Sequence, residues 1–143
     1  MFAASTYEEI VEYERRIENM EIVVFLFVKP TSQDATDIIQ EFEYIHYNSA
    51  KYCSVYAIGY SDDPQKKDSS HYKKVAEIIG RDWYFSNKTF VEFKNNLERR
   101  IKWEYSGETE VLILQNNPGG RDSLNFSNYV AIDVNKGLRE GYI

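Results

Sequence analysis

The chain has 143 residues, a hydrophobic fraction of 43% and a formal net charge of −6. This length predicts a single domain, residues 1–143, which buries roughly two-thirds of the surface of its unfolded chain. The hydrophobic fraction argues against wholesale disorder. Because phosphate neutralisation needs an excess of Lys and Arg, the acidic composition disfavours nucleic-acid binding.

The charge is distributed unevenly along the chain. Residues 1–50 contain ten acidic and three basic residues, whereas residues 51–105 contain eight acidic and eleven basic residues. The single cysteine, Cys53, permits no intramolecular disulfide, and the longest apolar run, residues 22–28, is too short to span a bilayer. The first four residues run directly into an acidic segment, so we expect no signal peptide. We therefore expect a cytoplasmic protein that does not associate with membranes.

The first half of the chain predicts one helix followed by a strand–helix–strand unit. Residues 5–20 begin with Ser-Thr, a helix-capping pair, and continue with apolar residues at helical spacing. Residues 21–28, EIVVFLFV, are apolar on both alternating sets, as in a strand buried on both faces. Residues 34–45 indicate a helix and residues 52–60 a second buried strand. A helical crossover of this kind makes the two strands parallel.

The middle of the chain predicts a surface loop and two more helices. Residues 61–70 are polar and proline-containing, which indicates a mobile loop. Residues 71–80 place apolar side chains at helical spacing and end on Gly80, which favours a short helix. An aromatic connector, residues 81–85, then leads into a helix over residues 86–101.

The last third of the chain predicts an antiparallel hairpin. Residues 109–115 and 128–134 have strand composition, and the twelve residues between them contain a Pro-Gly-Gly turn signal. Residues 135–143 indicate the start of a closing helix without its completion. A second organisation therefore stays open, in which the chain is one domain of a larger protein or a homodimer covers its sheet.

These elements predict a three-layer α/β domain with a mixed central sheet of about four strands and helices on both faces. From residue 22 to 137, their order resembles the thioredoxin-like fold, in which a βαβ unit leads through a helical crossover to a ββ hairpin. The turn that would carry the redox Cys-x-x-Cys is Lys-Pro-Thr-Ser-Gln-Asp, residues 29–34, and has no cysteine. The segment before the third strand, YSGETEV, lacks the cis-proline. The resemblance therefore implies the fold without redox activity, and it identifies no catalytic residue.

The turn from Lys29 to Asp34 is the first candidate site. Helix N-termini expose unpaired amides and carry a partial positive charge that favours an anion, and Lys29 and Ser32 would contribute to such a site. Against this, Asp34 and Asp37 already complement the helix dipole, and helix capping alone accounts for Thr31 or Ser32. Anion binding and a purely structural turn both stay open.

A pair of carboxylates forms the second candidate site. Asp62 and Asp63 follow the second strand of the βαβ unit, at the sheet edge where open α/β sheets commonly bind ligands. Paired carboxylates at that edge could hold Mg²⁺ or act as acid and base, with Glu108 at the entrance to a later strand beside them. The sequence SDDP is also an ordinary turn, so we predict no metal or cofactor.

Aromatic residues give a third candidate. Trp83 and Tyr84 lie in an aromatic-rich segment that favours the core, but exposed side chains would make them interface anchors. Cys53 falls in a buried strand, and neither histidine has metal-ligand spacing. The sequence therefore predicts no catalytic Cys–His pair and no metal site.

Two functions follow from these observations. The absence of catalytic motifs, the acidic first third and the twelve tyrosines favour a non-catalytic protein-binding domain whose partner has a basic surface. Small acidic α/β proteins of this kind include immunity proteins that neutralise basic toxins and accessory or sensor domains of bacterial conflict systems. The alternative is a small enzyme of phosphate or nucleotide chemistry, with its site at the strand edge near Lys29, Ser32, Asp62, Asp63 and Glu108.

Overall fold

A computed structural model gives the architecture of this protein. It contains a five-stranded mixed sheet, a three-stranded antiparallel sheet and, among the described residues, three α-helices. The described residues are 2–4, 6–32, 34–49, 52–68, 71–78 and 80–134.

The chain builds β1 to β3 of the large sheet, then the whole small sheet, and returns to the large sheet with β7 and β8. The strand order is β1-β3-β2-β7-β8 in the large sheet and β4-β6-β5 in the small one. A short 3-10 helix, Pro64–Asp68, follows β4. The other elements are β1 (Phe2–Ala4), α1 (Tyr7–Arg15), β2 (Ile22–Phe27), α2 (Ala35–Ser49), β3 (Cys53–Ile58), β4 (Tyr60–Ser61), β5 (Lys73–Ile78), β6 (Arg81–Phe85), α3 (Asn87–Arg100), β7 (Glu110–Asn116) and β8 (Leu124–Asp133).

The large sheet confirms the four predicted strands. β2 and β3, which precede and follow α2 in the chain, pair in parallel. β7 is antiparallel to β2, and β8 is antiparallel to β7. A fifth strand, β1, extends the sheet by pairing in parallel with β3. The loop of the β7–β8 hairpin covers only residues 117–123, because β8 begins earlier than its sequence pattern indicated. Residues 135–143, where a closing helix was considered, lie outside the described residues.

Helices cover the large sheet because β2 is apolar on both faces. Phe25 and Phe27 contact Phe93 of α3, with ring centroids 5.2 and 6.1 Å apart. Tyr56 lies beside Phe25 in register and contacts Tyr13 of α1 at 6.3 Å. Since alternate side chains of a strand point to opposite faces, α1 and α3 lie on one face. The intervening residues of β2 are also buried, with α2 as the crossover, which agrees with the predicted three layers.

The predicted helix over residues 71–80 is wrong. This segment forms β5, and the supposed connector after it forms β6, antiparallel to β5. Gly80 does not end a helix but turns the chain between the two strands with a φ of +73°. The segment with helical spacing is short, and cross-strand pairing with the aromatic residues of β6 overrides this local pattern. Strand formation depends strongly on such packing.

Two helix caps confirm their predicted starts. The Thr6 hydroxyl accepts a hydrogen bond from the Glu9 amide at the start of α1, and the Ser86 hydroxyl accepts one from the Thr89 amide at the start of α3. Each cap satisfies one of the amides that a helix N-terminus leaves unpaired. α1 is shorter than the predicted segment, since it ends at Arg15.

Gly59 holds the start of α3 close to the corner between β3 and β4. Its φ is +85°, and a Cβ at this position would lie 2.9 Å from the Phe85 ring and 3.0 Å from Cβ of Phe90. The Ser86 amide donates to the Gly59 carbonyl at 2.9 Å. Only glycine combines this backbone conformation with this approach, and the approach positions the N-terminus of α3.

Candidate functional site

The Lys29 turn leads from β2 directly into α2, as predicted. The Ser32 amide donates to the Lys29 carbonyl at 3.0 Å, and the Ala35 amide donates to the Ser32 carbonyl at 3.2 Å. Just before the turn, the Tyr60 hydroxyl donates to the Val28 carbonyl at 2.7 Å and fixes the end of the strand. Hydrogen bonds within the turn and from Tyr60 of the small sheet therefore fix the backbone here. The Lys29 side chain lines two cavities.

On one side of Lys29 lies a small cavity of about 210 Å³. It brings Lys29, Ser32 and Glu108 together, three residues that the sequence placed in one candidate site. Glu108 contributes a carboxylate, which opposes the binding of a second anion in so small a space. The remaining lining residues are Thr31, Tyr105, Gly107 and Thr109.

On the other side of Lys29 lies a larger cavity of about 500 Å³, which we call the lysine cavity. Lys29, Lys73 and Lys88 reach it from three different elements. No carboxylate of the described residues pairs with any of these three lysines. The ammonium of Lys29 also lies 5.5 Å from the ring centroid of Phe90, which places it over the start of α3. The other lining residues are Pro30, Thr31, His71, Val75, Phe85 and Asn87.

The two aspartates of the second candidate site have structural partners. Asp62 accepts from the Arg81 guanidinium at 2.9 Å, and the same guanidinium contacts Glu43 of α2 at 3.2 Å. Asp63 accepts from the Gln65 amide at 3.0 Å and so starts the 3-10 helix. Neither aspartate lines the two cavities that contain Lys29. The structure therefore does not bring the carboxylate pair to the lysine.

Trp83 and Tyr84 lie in the core. Trp83 is 1% exposed, and its ring contacts that of Tyr60 at a centroid distance of 6.4 Å. Tyr84 is also buried. The exposure that would make these residues interface anchors is absent, because their strand, β6, is the central strand of the small sheet.

An exposed groove on α2 was missed by the sequence reasoning. It has a volume of about 640 Å³ and is lined by Gln40, Glu43, Tyr44 and Tyr47 of α2 together with Arg81. We call these five residues the α2 groove. Tyr44 is 69% exposed and Tyr47 is 83% exposed.

A signal for this groove exists in the sequence. The residues of α2 that line it have the spacing i, i+3, i+4 and i+7, which places them on one side of a helix. The core-facing stripe of the same helix contains Ala35 and Ile39 and leaves Tyr44 about half a turn away. α2 thus carries a second face with two large aromatic side chains, in addition to the face that meets the sheet.

Two buried carboxyl groups form a cluster that the sequence did not identify. Glu14 of α1 is 2% exposed and accepts a hydrogen bond from the Tyr56 hydroxyl at 2.6 Å. Glu21, which precedes β2, is also buried and accepts from the Ser54 hydroxyl at 2.6 Å. The Glu21 amide donates to the Asn116 side chain at 2.8 Å, which joins the cluster to β7.

Burial raises the pKa of Glu14 from 4.5 to about 7. The hydrogen bond from Tyr56 lowers this pKa, and the neighbouring Glu21 carboxyl raises it. Glu14 therefore exchanges its proton near neutral pH. A carboxyl group of this pKa suits acid–base chemistry, but its burial keeps substrates away, so we assign it to the structure of the protein. The signal in the sequence was the position of Glu14 on the apolar stripe of its helix.

The described residues contain neither a metal-binding cluster nor a membrane-spanning helix. His, Cys, Asp and Glu side chains form no group of three that could hold a metal ion in this part of the chain. None of the helices described is both long and apolar enough to cross a bilayer. Cys53 is half-buried, and burial raises the pKa of its thiol, which makes it a weak nucleophile.

No family model, curated protein or solved structure matches this chain. The resemblance to the thioredoxin-like fold therefore rests on element order and stays a prediction. A function is therefore inferred from the surfaces of this molecule. The α2 groove has two exposed aromatic side chains, and the lysine cavity has three lysines.

Proposed function

We propose that the protein is a non-catalytic binding domain that docks a basic segment of a protein partner in the α2 groove. The observation that carries this proposal is the exposure of Tyr44 and Tyr47, two large aromatic side chains that line one groove. Tyrosine supplies a large contact area and fixes only two side-chain torsions on binding, so it is favoured at protein interfaces.

The charge around the groove favours a basic partner. α2 carries the acidic residues Asp37, Glu41 and Glu43 and has no Lys or Arg. The one base at the groove, Arg81, already contacts Glu43 and Asp62. An incoming Lys or Arg would meet the acidic helix α2 and the faces of two tyrosine rings, both of which attract cations.

An immunity or accessory role against a basic toxin or effector is one form of this proposal. It is supported only by the size of the chain, its acidic charge and the acidic aromatic groove. The enzymatic alternative has less support, because it needs Asp62 and Asp63 beside Lys29, whereas Arg81 holds Asp62 near α2.

The proposal is tested by titrating the ¹⁵N-labelled protein with an oligo-arginine peptide, followed by NMR. We expect saturable shifts of the amides around Tyr44 and Tyr47 and an affinity that falls with salt. A Tyr44→Ser/Tyr47→Ser double variant should weaken binding by about tenfold, since exposed cation–π contacts contribute roughly 0.5–1 kcal/mol each.

The matched control is Tyr52→Ser, because Tyr52 is 71% exposed but does not line the groove. This variant should bind the peptide as the original protein does. Oligo-glutamate should cause no shifts at the groove. If Tyr52→Ser weakens binding as much as the double variant, or if the shifts follow acidic residues all over the surface, the α2 groove is not the docking site.

A further inference from the structure

We propose that the lysine cavity binds a small phosphorylated molecule of about nucleotide size. Lys29 follows β2, Lys73 opens β5 and Lys88 lies in the first turn of α3, and all three line the one cavity. The cavity lies apart from the α2 groove, with which it shares no lining residue. The proposal is therefore independent of the protein-binding function.

The lysines form an unbalanced local charge in an acidic chain. The net charge of the protein is −6, yet no carboxylate of the described residues lies within ion-pair distance of these three ammonium groups. The neighbouring Lys74 differs, because it pairs with Asp82 at 3.0 Å. Like charges that converge without a counter-ion repel each other, and a multiply charged anion removes this repulsion.

The N-terminus of α3 lies at the lysine cavity. The cap of α3 uses the Thr89 amide, and the Phe90 amide donates to the Ser86 carbonyl at 3.0 Å. The amides of Asn87 and Lys88 have no acceptor among the described residues, and both of these residues line the cavity. The first turn of α3 contains no acidic residue that would compensate the helix dipole. These amides therefore suit a phosphate group.

The cavity also has an apolar wall, which indicates a ligand larger than a free ion. Phe85, Val75 and Pro30 form this wall, and Lys73 lies opposite Phe85 in the register of the small sheet. The volume of about 500 Å³ is typical of pockets for small molecules. A pocket of this size in an acidic protein suits a small anion better than a nucleic acid, which needs an extended basic surface.

The test is a titration of the ¹⁵N-labelled protein with pyrophosphate in one series and ATP in another. We expect saturable shifts of the Asn87 and Lys88 amides with both probes. Equal affinities for pyrophosphate and ATP would mean that only the phosphate groups contribute to binding. A higher affinity for ATP would mean that its nucleoside also contacts the apolar wall. Lys73→Gln and Lys88→Gln should each weaken binding by about tenfold, as expected for the loss of a charge-assisted hydrogen bond.

Lys102→Gln is the matched control, since Lys102 is exposed and lies after the other end of α3. It should bind both probes as the original protein does, and thermal unfolding should show that all three variants fold. The double variant of Tyr44 and Tyr47 should also retain phosphate binding. Absence of saturable shifts at Asn87 and Lys88 with both probes at millimolar concentration would overturn the proposal. Equal weakening by Lys102→Gln would do so as well.

Discussion

At the scale of single residues, the buried carboxyl group of Glu14 makes the stability of the protein depend on pH. The folded-state pKa of Glu14 is raised to about 7 from 4.5. Between these values the folded protein keeps a proton that the unfolded chain loses. Stability is therefore highest below the unfolded pKa and falls as the pH rises towards the folded pKa.

We expect the free energy of unfolding to fall by up to about 3 kcal/mol between pH 4.5 and 7 because of this group. In Glu14→Gln the amide oxygen still accepts from Tyr56, but the titration is removed, so the decrease should largely disappear. Urea unfolding at several pH values measures both proteins. Glu18→Gln, at an exposed acidic residue, should retain the decrease. A Glu14→Gln variant with an unchanged pH profile would contradict this assignment.

The sequence did not identify the buried cluster of Glu14 and Glu21, although it carries a local signal for one of its two members. Glu14 was visible as a polar residue on an apolar helical stripe, which is a recognisable irregularity. Its partner Glu21 lies seven residues later, and its position depends on the loop between α1 and β2 and on Asn116 of β7. The sheet brings Asn116 to Glu21, although the two residues are far apart in the sequence. A local sequence pattern cannot reveal such a contact.

At the scale of elements, two glycines with similar backbone conformations have different surroundings. Gly59 and Gly80 have φ values of +85° and +73°. A Cβ on Gly80 would meet no atom within 4 Å, whereas a Cβ on Gly59 would meet Phe85 and Phe90 at 3.0 Å or less. The two positions therefore separate backbone strain from steric crowding.

We expect Gly80→Ala to destabilise the protein by about 1 kcal/mol, which is the cost of a left-handed conformation for alanine. Gly59→Ala should cost about 2 kcal/mol more, because the start of α3 must also move. Urea unfolding measures the difference. Equal costs for the two variants would mean that the close approach of β3 and α3 relaxes freely.

The β5–β6 hairpin explains which elements the sequence could predict. β2 was predicted correctly because it is long, apolar on both faces and ended by Pro30. β5 was mistaken for a helix because its few apolar residues fit either period and most of its side chains are exposed. Its strand state depends on β6, whose Trp83 and Phe85 belong to the core. Such short, half-exposed segments take their structure from their partners.

At the scale of the whole molecule, the parallel strand pair and the antiparallel hairpin followed from the sequence, but the surfaces did not. A strand–helix–strand unit and a hairpin restrict the sheet to few topologies, and β3-β2-β7-β8 is the arrangement observed. The small sheet brings Lys73 to Lys29 and Arg81 to Glu43, and neither proximity is visible in the chain order. The homodimer and the larger parent protein stay predictions.

A substitution of Arg81 tests the contact between α2 and the small sheet and its effect on the α2 groove. Its guanidinium joins Glu43 of α2 to Asp62, next to the small sheet, in an exposed pair of contacts. Exposed ion pairs contribute little, so Arg81→Gln should lower the free energy of unfolding by less than about 1 kcal/mol. The same change removes the positive charge that lies between Glu43 of the α2 groove and Asp62 beside it, so oligo-arginine should bind more tightly, and most clearly at low salt. Arg16→Gln alters the net charge equally, but Arg16 lies at the end of α1 beside Glu12. If both variants gain the same affinity, overall charge and not the α2 groove governs binding.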